Sequence, residues 1–446
     1  MRSGGILAAL AQAPLWLDTL PLQGVSSRAT LCQQHRDRTG TRVTTEIEET
    51  RINAADLRVG MFVCRLDRPW EGTPFPLQGL ELRTPEDVRK LRELCTYVYI
   101  DRHSELVDHS RMLKSGEQRP EQRFTRATRY ANKLSIDEEL PSAREALSTA
   151  AEMVDRIYAD VASGRELSVE HVERAVRPLV ASVLRSADAF LYLEGLRKHD
   201  SYTYSHAIGC SALAAALGRH MGLHEDTVFS LAAGGLLMDI GKTRVPQELL
   251  QSPRALSPEE FGIVHGHIGH GIAILEEAGI NDPDVHAVLR SHHERFDGSG
   301  YPKRLIGGTI PMPARMLGII DSYDAMISVR PYRAAMSRHQ ALQQIYRARN
   351  TLFQVELVEQ FQACLGVYPT GSLVELNTGE VAMVMMQNRV RRLRPRVLLL
   401  TTHDKQPLKD FQPLDLLNQA NYGDVIEIVR SVAVGEYAID TSGLLP

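Results

Sequence analysis

A multidomain α+β chain is predicted, with a small β-rich module at the N-terminal end, a large all-α block and a small C-terminal β module. Three observations carry that expectation. Short strand-like runs at 57–64 and 97–101 flank one amphipathic segment. From 202 to 361 nearly every segment then has helical periodicity. After Gly366 the pattern returns to short β-branched or alternating runs. With 446 residues, 43% hydrophobic and 24% charged, the chain is long enough for roughly two to three domains with a sizeable core.

Taken in order, residues 1–44 lack a sustained period and are expected to be a disordered leader. Its first residues faintly resemble a secretory signal. The apolar core is short, however, and apolar residues continue past the supposed cleavage site, so a cytoplasmic protein is expected. An N-terminal module over 45–175 begins with the strand at 57–64. A helix over Pro85–Leu94 follows, with Thr84 as N-cap and Pro85 at its first position, and then the strand at 97–101. Residues 103–141 are polar and charged and are expected as a linker. Two amphipathic helical segments come next, 143–163 and 168–196, broken at Ser163-Gly164. The all-α block is placed at 176–365. Within it Ser257-Pro258-Glu259-Glu260 is a full capping box and starts a helix. Strands at 372–376, 381–386 and 397–402 define the C-terminal β module over 366–446.

Composition excludes several function classes. The net charge is −4 and aromatic residues are only 6%, so neither a global positive field nor a base-stacking platform is expected. Five arginines lie between Arg389 and Arg396 without interleaved aromatics; a solvated turn or domain contact is expected there, not a nucleic-acid polymer. The five cysteines are scattered with no CxxC pair, which argues against a disulfide framework or a structural zinc cluster. No run approaches a membrane span.

Histidine is the anomaly. Ten of the 16 fall between His199 and His293. His206 opens a helix beside a buried stripe containing Cys210, Leu213 and Leu217. Asp239 follows an apolar helix directly, and His267 lies on the helix capped by Ser257. His292 and His293 end another helix, and Asp321 and Asp324 share a helix face. Each alone has an ordinary explanation: a core histidine in a hydrogen bond, or an aspartate capping a turn. Together they suggest a metal cluster, because mixed imidazole and carboxylate ligation suits Mn, Fe or Zn. Asp239 would bridge two ions, and a hydroxide between them would attack a phosphoester.

The strings from Tyr202 to His206, LLMDIGK at 236–242, HHERFDGSGYP at 292–302, DSYDA at 321–325 and RPYR at 330–333 resemble the HD-GYP phosphodiesterases in order. LRVGMFVCRLDRPW and CTYVYID resemble the domain of unknown function that often precedes them. The resemblance implies an HD-type helical domain hydrolysing cyclic di-GMP with iron or manganese, two divalent ions here. By position, His206, Asp239 and Asp321 would hold one ion; Asp239 would bridge to a second held by His267, His292 and His293. Lys242 would sit near the scissile phosphate and act with Asp239 in catalysis. Tyr301, Arg330, Arg333 and Asp324 would meet the substrate. Surface salt bridges remain the plain alternative for Arg330 and Arg333, and a tight turn for Gly300-Tyr301-Pro302.

Two departures matter. Met238 stands where the family carries the histidine of its HD pair, and a thioether is a poor partner for Mn or Fe(II). Tyr202 stands where three-metal members carry an acid, so a third ion is not expected. On one continuous helix His265 would project about 200° from His267 and face solvent, while His270 would lie about 60° away, one turn on. The alternative function is a weak or inactive sensor that binds cyclic di-GMP and signals through its flanking modules. A homodimer or a signalling protein is the partner that reading implies.

Overall fold

Thr84 starts the first helix as its sequence requires: its hydroxyl accepts from the Asp87 N–H while the Asp87 carboxylate accepts from the Thr84 N–H. The computed structural model describes residues 49–59, 61–67, 80–82, 84–101, 128, 130–196, 202–252, 254–328, 335–388, 393–418, 425–433 and 436–437. The leader at 1–44, and Arg330 and Arg333, lie outside these residues. The chain divides into two units between 107 and 108.

In the first unit, β1 (Glu49–Asn53), β2 (Phe62–Leu66), β3 (Leu80–Glu81) and β4 (Tyr97–Asp101) form an antiparallel sheet in the order β1-β4-β2-β3. Helix α1 (Pro85–Leu94) buries Val88 and Leu91 against Leu57, Val63, Leu82 and Val98. The strand expected at 57–64 starts later, at Phe62, because a turn closed by the Met61 N–H on the Arg58 carbonyl occupies the preceding residues.

The second unit begins with α2 (Ile136–Ala162) and α3 (Val169–Arg185). Both differ from expectation. Helix α2 starts inside the supposed linker because Ser135 and Glu138 make a capping box, and Pro141 near its start does not stop it. The expected boundary at 175/176 falls within α3, and α2 and α3 share one core with the helices that follow. Met153, Ile157, Leu179 and Val183 are buried together with Leu213 and Leu236. Arg185 clamps buried Glu139 with two 2.7 Å bonds, tying the pair together. The segment expected at 168–196 is broken at Ser186 into α3 and α4 (Ala189–Leu196).

The block continues through α5 (Tyr202–His220), α6 (Glu225–Leu237), α7 (Gln247–Leu250), α8 (Pro258–His265), α9 (His267–Glu277) and α10 (Pro283–Ser291). Helices α11 (Met312–Ile327), α12 (Arg338–Arg347) and α13 (Val355–Leu365) complete it. Helix α11 is buried along its length except at Arg315 and Ile327. Any polar group on it must therefore find a partner or a ligand.

Gly366, at φ 78, ends α13. Strands β5 (Leu373–Leu376), β6 (Val381–Met386), β7 (Arg396–Thr401), β8 (Pro407–Asp415) and β9 (Ile428–Ser431) follow as an antiparallel sheet, order β8-β7-β6-β5-β9. Sequence reading misses β8 and β9. Strand β8 is mostly exposed and carries two prolines, so it shows no apolar alternation. Thr370 donates to Asp188 at 3.0 Å and Arg396 to Asp137 at 3.1 Å, joining this sheet to the helices.

Candidate metal centre

Five short pieces of chain deliver the polar residues to one place inside the helical block. His206 lies near the start of α5, and Asp239 sits between α6 and a 3-10 turn over Ile240–Arg244. Asp239 makes no side-chain capping bond, so its carboxylate does not cap that turn. A Cβ on Gly241 would lie 1.9 Å from the His267 carbonyl oxygen. Only glycine lets the turn press onto α9, which brings Asp239 beside the residue that opens α9, His267. His292 and His293 follow α10 directly, and Asp321 points inward from α11.

Asp239 is the hub. Its Oδ1 lies 3.7 Å from His267 Nε2 and 3.8 Å from His292 Nε2. Its Oδ2 lies 2.6 Å from Lys242 Nζ and 3.8 Å from His206 Nε2. His206 Nε2 is 3.3 Å from Asp321 Oδ1, and His293 Nδ1 is 3.8 Å from Asp321 Oδ2. These imidazole–carboxylate gaps beyond 3.5 Å are too long for hydrogen bonds. They match two groups on either side of one cation at about 2.1 Å from each.

The donors are pre-oriented. His267 Nδ1 is 2.7 Å from the Val264 carbonyl and His292 Nδ1 is 3.0 Å from the Val288 carbonyl, which assigns their protons and leaves Nε2 as a lone pair. Among the described residues, buried Asp239 Oδ1, His267 Nε2, His292 Nε2, His293 Nδ1 and Asp321 Oδ2 have no hydrogen-bond partner. Five orphaned buried acceptors facing one another would be costly in a purely structural core. Bound cations would satisfy them. One ligand atom each from Asp239, His267, His292 and His293 lies within 4.8 Å of the others.

Electrostatics agree with that use. Burial pushes His267 down to about 3 and lowers His292 and His293, so all three rings are neutral at physiological pH. Burial opposes the charge on Asp239, but Lys242 and the neighbouring imidazoles outweigh it and hold the carboxyl below its ordinary range. Asp321 is also held low: burial works against it, and His206 more than offsets that.

Other sequence expectations fare differently. Asp324, expected at the substrate, is buried, with its Oδ2 2.7 Å from His206 Nδ1. Its spacing from Asp321 puts both on one helix face, but the close approach of α5 at Gly209 turns it toward His206. A Cβ on Gly209 would stand 2.5 Å from Asp324 Oδ1. His267 does not share a helix with the Ser257 cap, because α8 ends at His265 and α9 starts after Gly266. The solvent-facing position expected for His265 is not found, since the residue is half-buried. Its ring stacks on Tyr301, centroids 3.5 Å apart and planes at 13°. Tyr301 in turn stacks on His293 at 4.7 Å. Glu294 accepts from the N–H groups of Lys303 and Leu305, which pins the loop carrying Tyr301. Met238 is 1% exposed within the core.

Comparison with known proteins places this arrangement. An HD domain matches residues 180–357, Domain of unknown function DUF3391 matches 49–172, and a KOW domain associated with HD domain matches 373–438. A cyclic di-GMP phosphodiesterase of Pseudomonas aeruginosa is 32% identical over 379 residues, covering 82% of this chain and 88% of its own. The chain belongs to the HD-GYP family. A cyclic di-GMP phosphodiesterase of Thermotoga maritima is 34% identical over 165 residues, 36% of this chain and 44% of its own. A 3'3'-cGAMP-specific phosphodiesterase of Vibrio cholerae is 33% identical over 141 residues, 32% of either chain. Among the described residues no helix is long and apolar enough to cross a membrane.

Proposed function

We propose that this chain hydrolyses cyclic di-GMP to a linear dinucleotide, with two divalent ions, iron or manganese, held by His206, Asp239, His267, His292, His293 and Asp321. The observation that carries the reading is the set of five buried, partnerless acceptor atoms facing one another across the cluster. Their mixed imidazole and carboxylate chemistry suits those metals. Ions bound there supply an activated water and neutralise charge at phosphorus.

The protein's own residues do the rest. Asp239 presents one oxygen to each half of the cluster. Asp324 fixes the His206 ring so that Nε2 faces Asp239 and Asp321. Lys242, paired to Asp239 Oδ2 at 2.6 Å, carries the positive charge beside which a phosphate would rest. Tyr301 closes one side of the cluster, and Arg330 and Arg333 are assigned to the ligand.

Met238 favours a second reading, a binding module that senses the dinucleotide without turning it over. One experiment separates the two. The purified chain, loaded with Mn(II) or Fe(II) and analysed for metal, is incubated with cyclic di-GMP and, separately, with cyclic GMP-AMP, and products are resolved by chromatography. Metal-dependent linear dinucleotide supports the enzyme. Tight calorimetric binding without product supports the sensor. Neither binding nor product removes both.

A further inference from the structure

Three rings stand in a column on the edge of the metal cluster. His293 is innermost, Tyr301 stacks on it at 4.7 Å and 27°, and His265 covers the other side of Tyr301 at 3.5 Å and 13°. Phe261 meets His265 edge-on at 4.2 Å and Tyr301 at 6.4 Å. The backbone beneath Tyr301 is held separately. Its N–H donates to the His293 carbonyl at 3.2 Å, and a Cβ on Gly300 would lie 2.4 Å from that carbonyl oxygen and from the Arg295 nitrogen.

Backbone anchoring leaves the side-chain torsions of Tyr301 open, and a ring on a loop has several rotamers unless neighbours remove them. The aromatic neighbours that do so here are His265, His293 and Phe261. His293 belongs to the cluster already described. His265 does not: its buried Nε2 has no hydrogen-bond partner among the described residues. The position uses the flat face of the ring. His265 is the last residue of α8, one before Gly266, and its ring lies flat on Tyr301.

We propose that His265 is a positioning residue for Tyr301, sandwiching the phenol ring against His293 so that it is set in place before a cyclic dinucleotide arrives. This rests on the functional reading above, in which Tyr301 meets the ligand. His265 acts through Tyr301 and touches neither the metals nor the reacting phosphate. Preordering a contact residue lowers the cost of binding and leaves the chemical step alone.

The test uses His265→Ala and His265→Phe in the full chain, with metal content, kcat and KM measured for each. His265→Ala should raise KM about tenfold, with metal content unchanged and kcat within about twofold. His265→Phe, which keeps a flat ring and removes both nitrogens, should return KM to near the wild-type value. An unchanged KM in His265→Ala overturns the proposal. So does a His265→Phe variant as impaired as His265→Ala, or a loss of metal from either. If the wild-type chain neither binds nor turns over cyclic di-GMP, the functional reading falls. The stack is then judged without ligand, from the melting temperatures of His265→Ala, Tyr301→Ala and the double variant. A clear departure from additivity keeps the positioning role, and simple additivity ends it.

Discussion

Asp324 Oδ2 lies 2.7 Å from His206 Nδ1, both side chains buried, so this carboxylate decides which nitrogen of His206 faces the cluster. The Nδ1 proton goes to Asp324, and Nε2 is left facing Asp239 and Asp321. Partners of this kind both orient an imidazole and raise its basicity.

Asp324→Ala should therefore weaken metal binding roughly 10–100-fold while every proposed ligand remains. Asp324→Asn, which can still accept from Nδ1–H, should recover part of the loss. Gly209→Ala should act on the same pair, because its methyl would press on Asp324 Oδ1 at 2.5 Å. Calorimetric Mn(II) titration of the three variants reads all of these outcomes; wild-type affinity in Asp324→Ala would show that His206 needs no such partner.

Asp239→Ala and His292→Ala should each abolish turnover through lost metal while the protein stays folded. Asp239 supplies oxygen to both halves of the cluster and His292 supplies a buried neutral nitrogen, and no neighbouring group replaces either. Metal analysis beside circular dichroism checks this. A variant with full metal and wild-type rates would move the centre elsewhere.

Met238 sets the third expectation. The wild-type chain should need added Mn or Fe for full activity and lose it readily to a chelator, because the thioether is a poor ligand for these ions. Met238→His should raise metal occupancy and reduce that dependence. Occupancy after desalting is the measurement, and equal retention in both proteins would make position 238 irrelevant to the metal.

Acid should destabilise the metal-free protein. Burial pushes His267 down to about 3 and lowers His292 and His293, whereas in the unfolded chain such rings titrate near 6.5. Below about 6.5 the unfolded state binds more protons than the folded one, so stability falls as pH falls. Melting temperature in the presence of a chelator should drop steadily from pH 7 to pH 5. These rings contribute nothing to any change between pH 7.5 and 8.5. A melting temperature that rises on acidification would contradict their burial as neutral groups.

Local chemistry was legible from the residues alone. Thr84 and Ser257 announce their helices because a capping hydroxyl, an acid three residues later and a proline at the first helical position are all short-range signals. Strand Val381–Met386 is marked by its own apolar run. The convergence of His206, Asp239, His267, His292, His293 and Asp321 was suggested by residue type and by the order of motifs. What only the tertiary structure decided is direction. The loop after His293 lays Tyr301 on His265, so a ring expected to face solvent is covered. The approach of α5 at Gly209 gives Asp324 to His206. Helices α2 and α3 joined the helical block because their apolar faces find its core, a contact that no local pattern specifies. Periodicity fixes angles only along an unbroken element; between elements the angle is set by packing, and packing is a property of the whole fold.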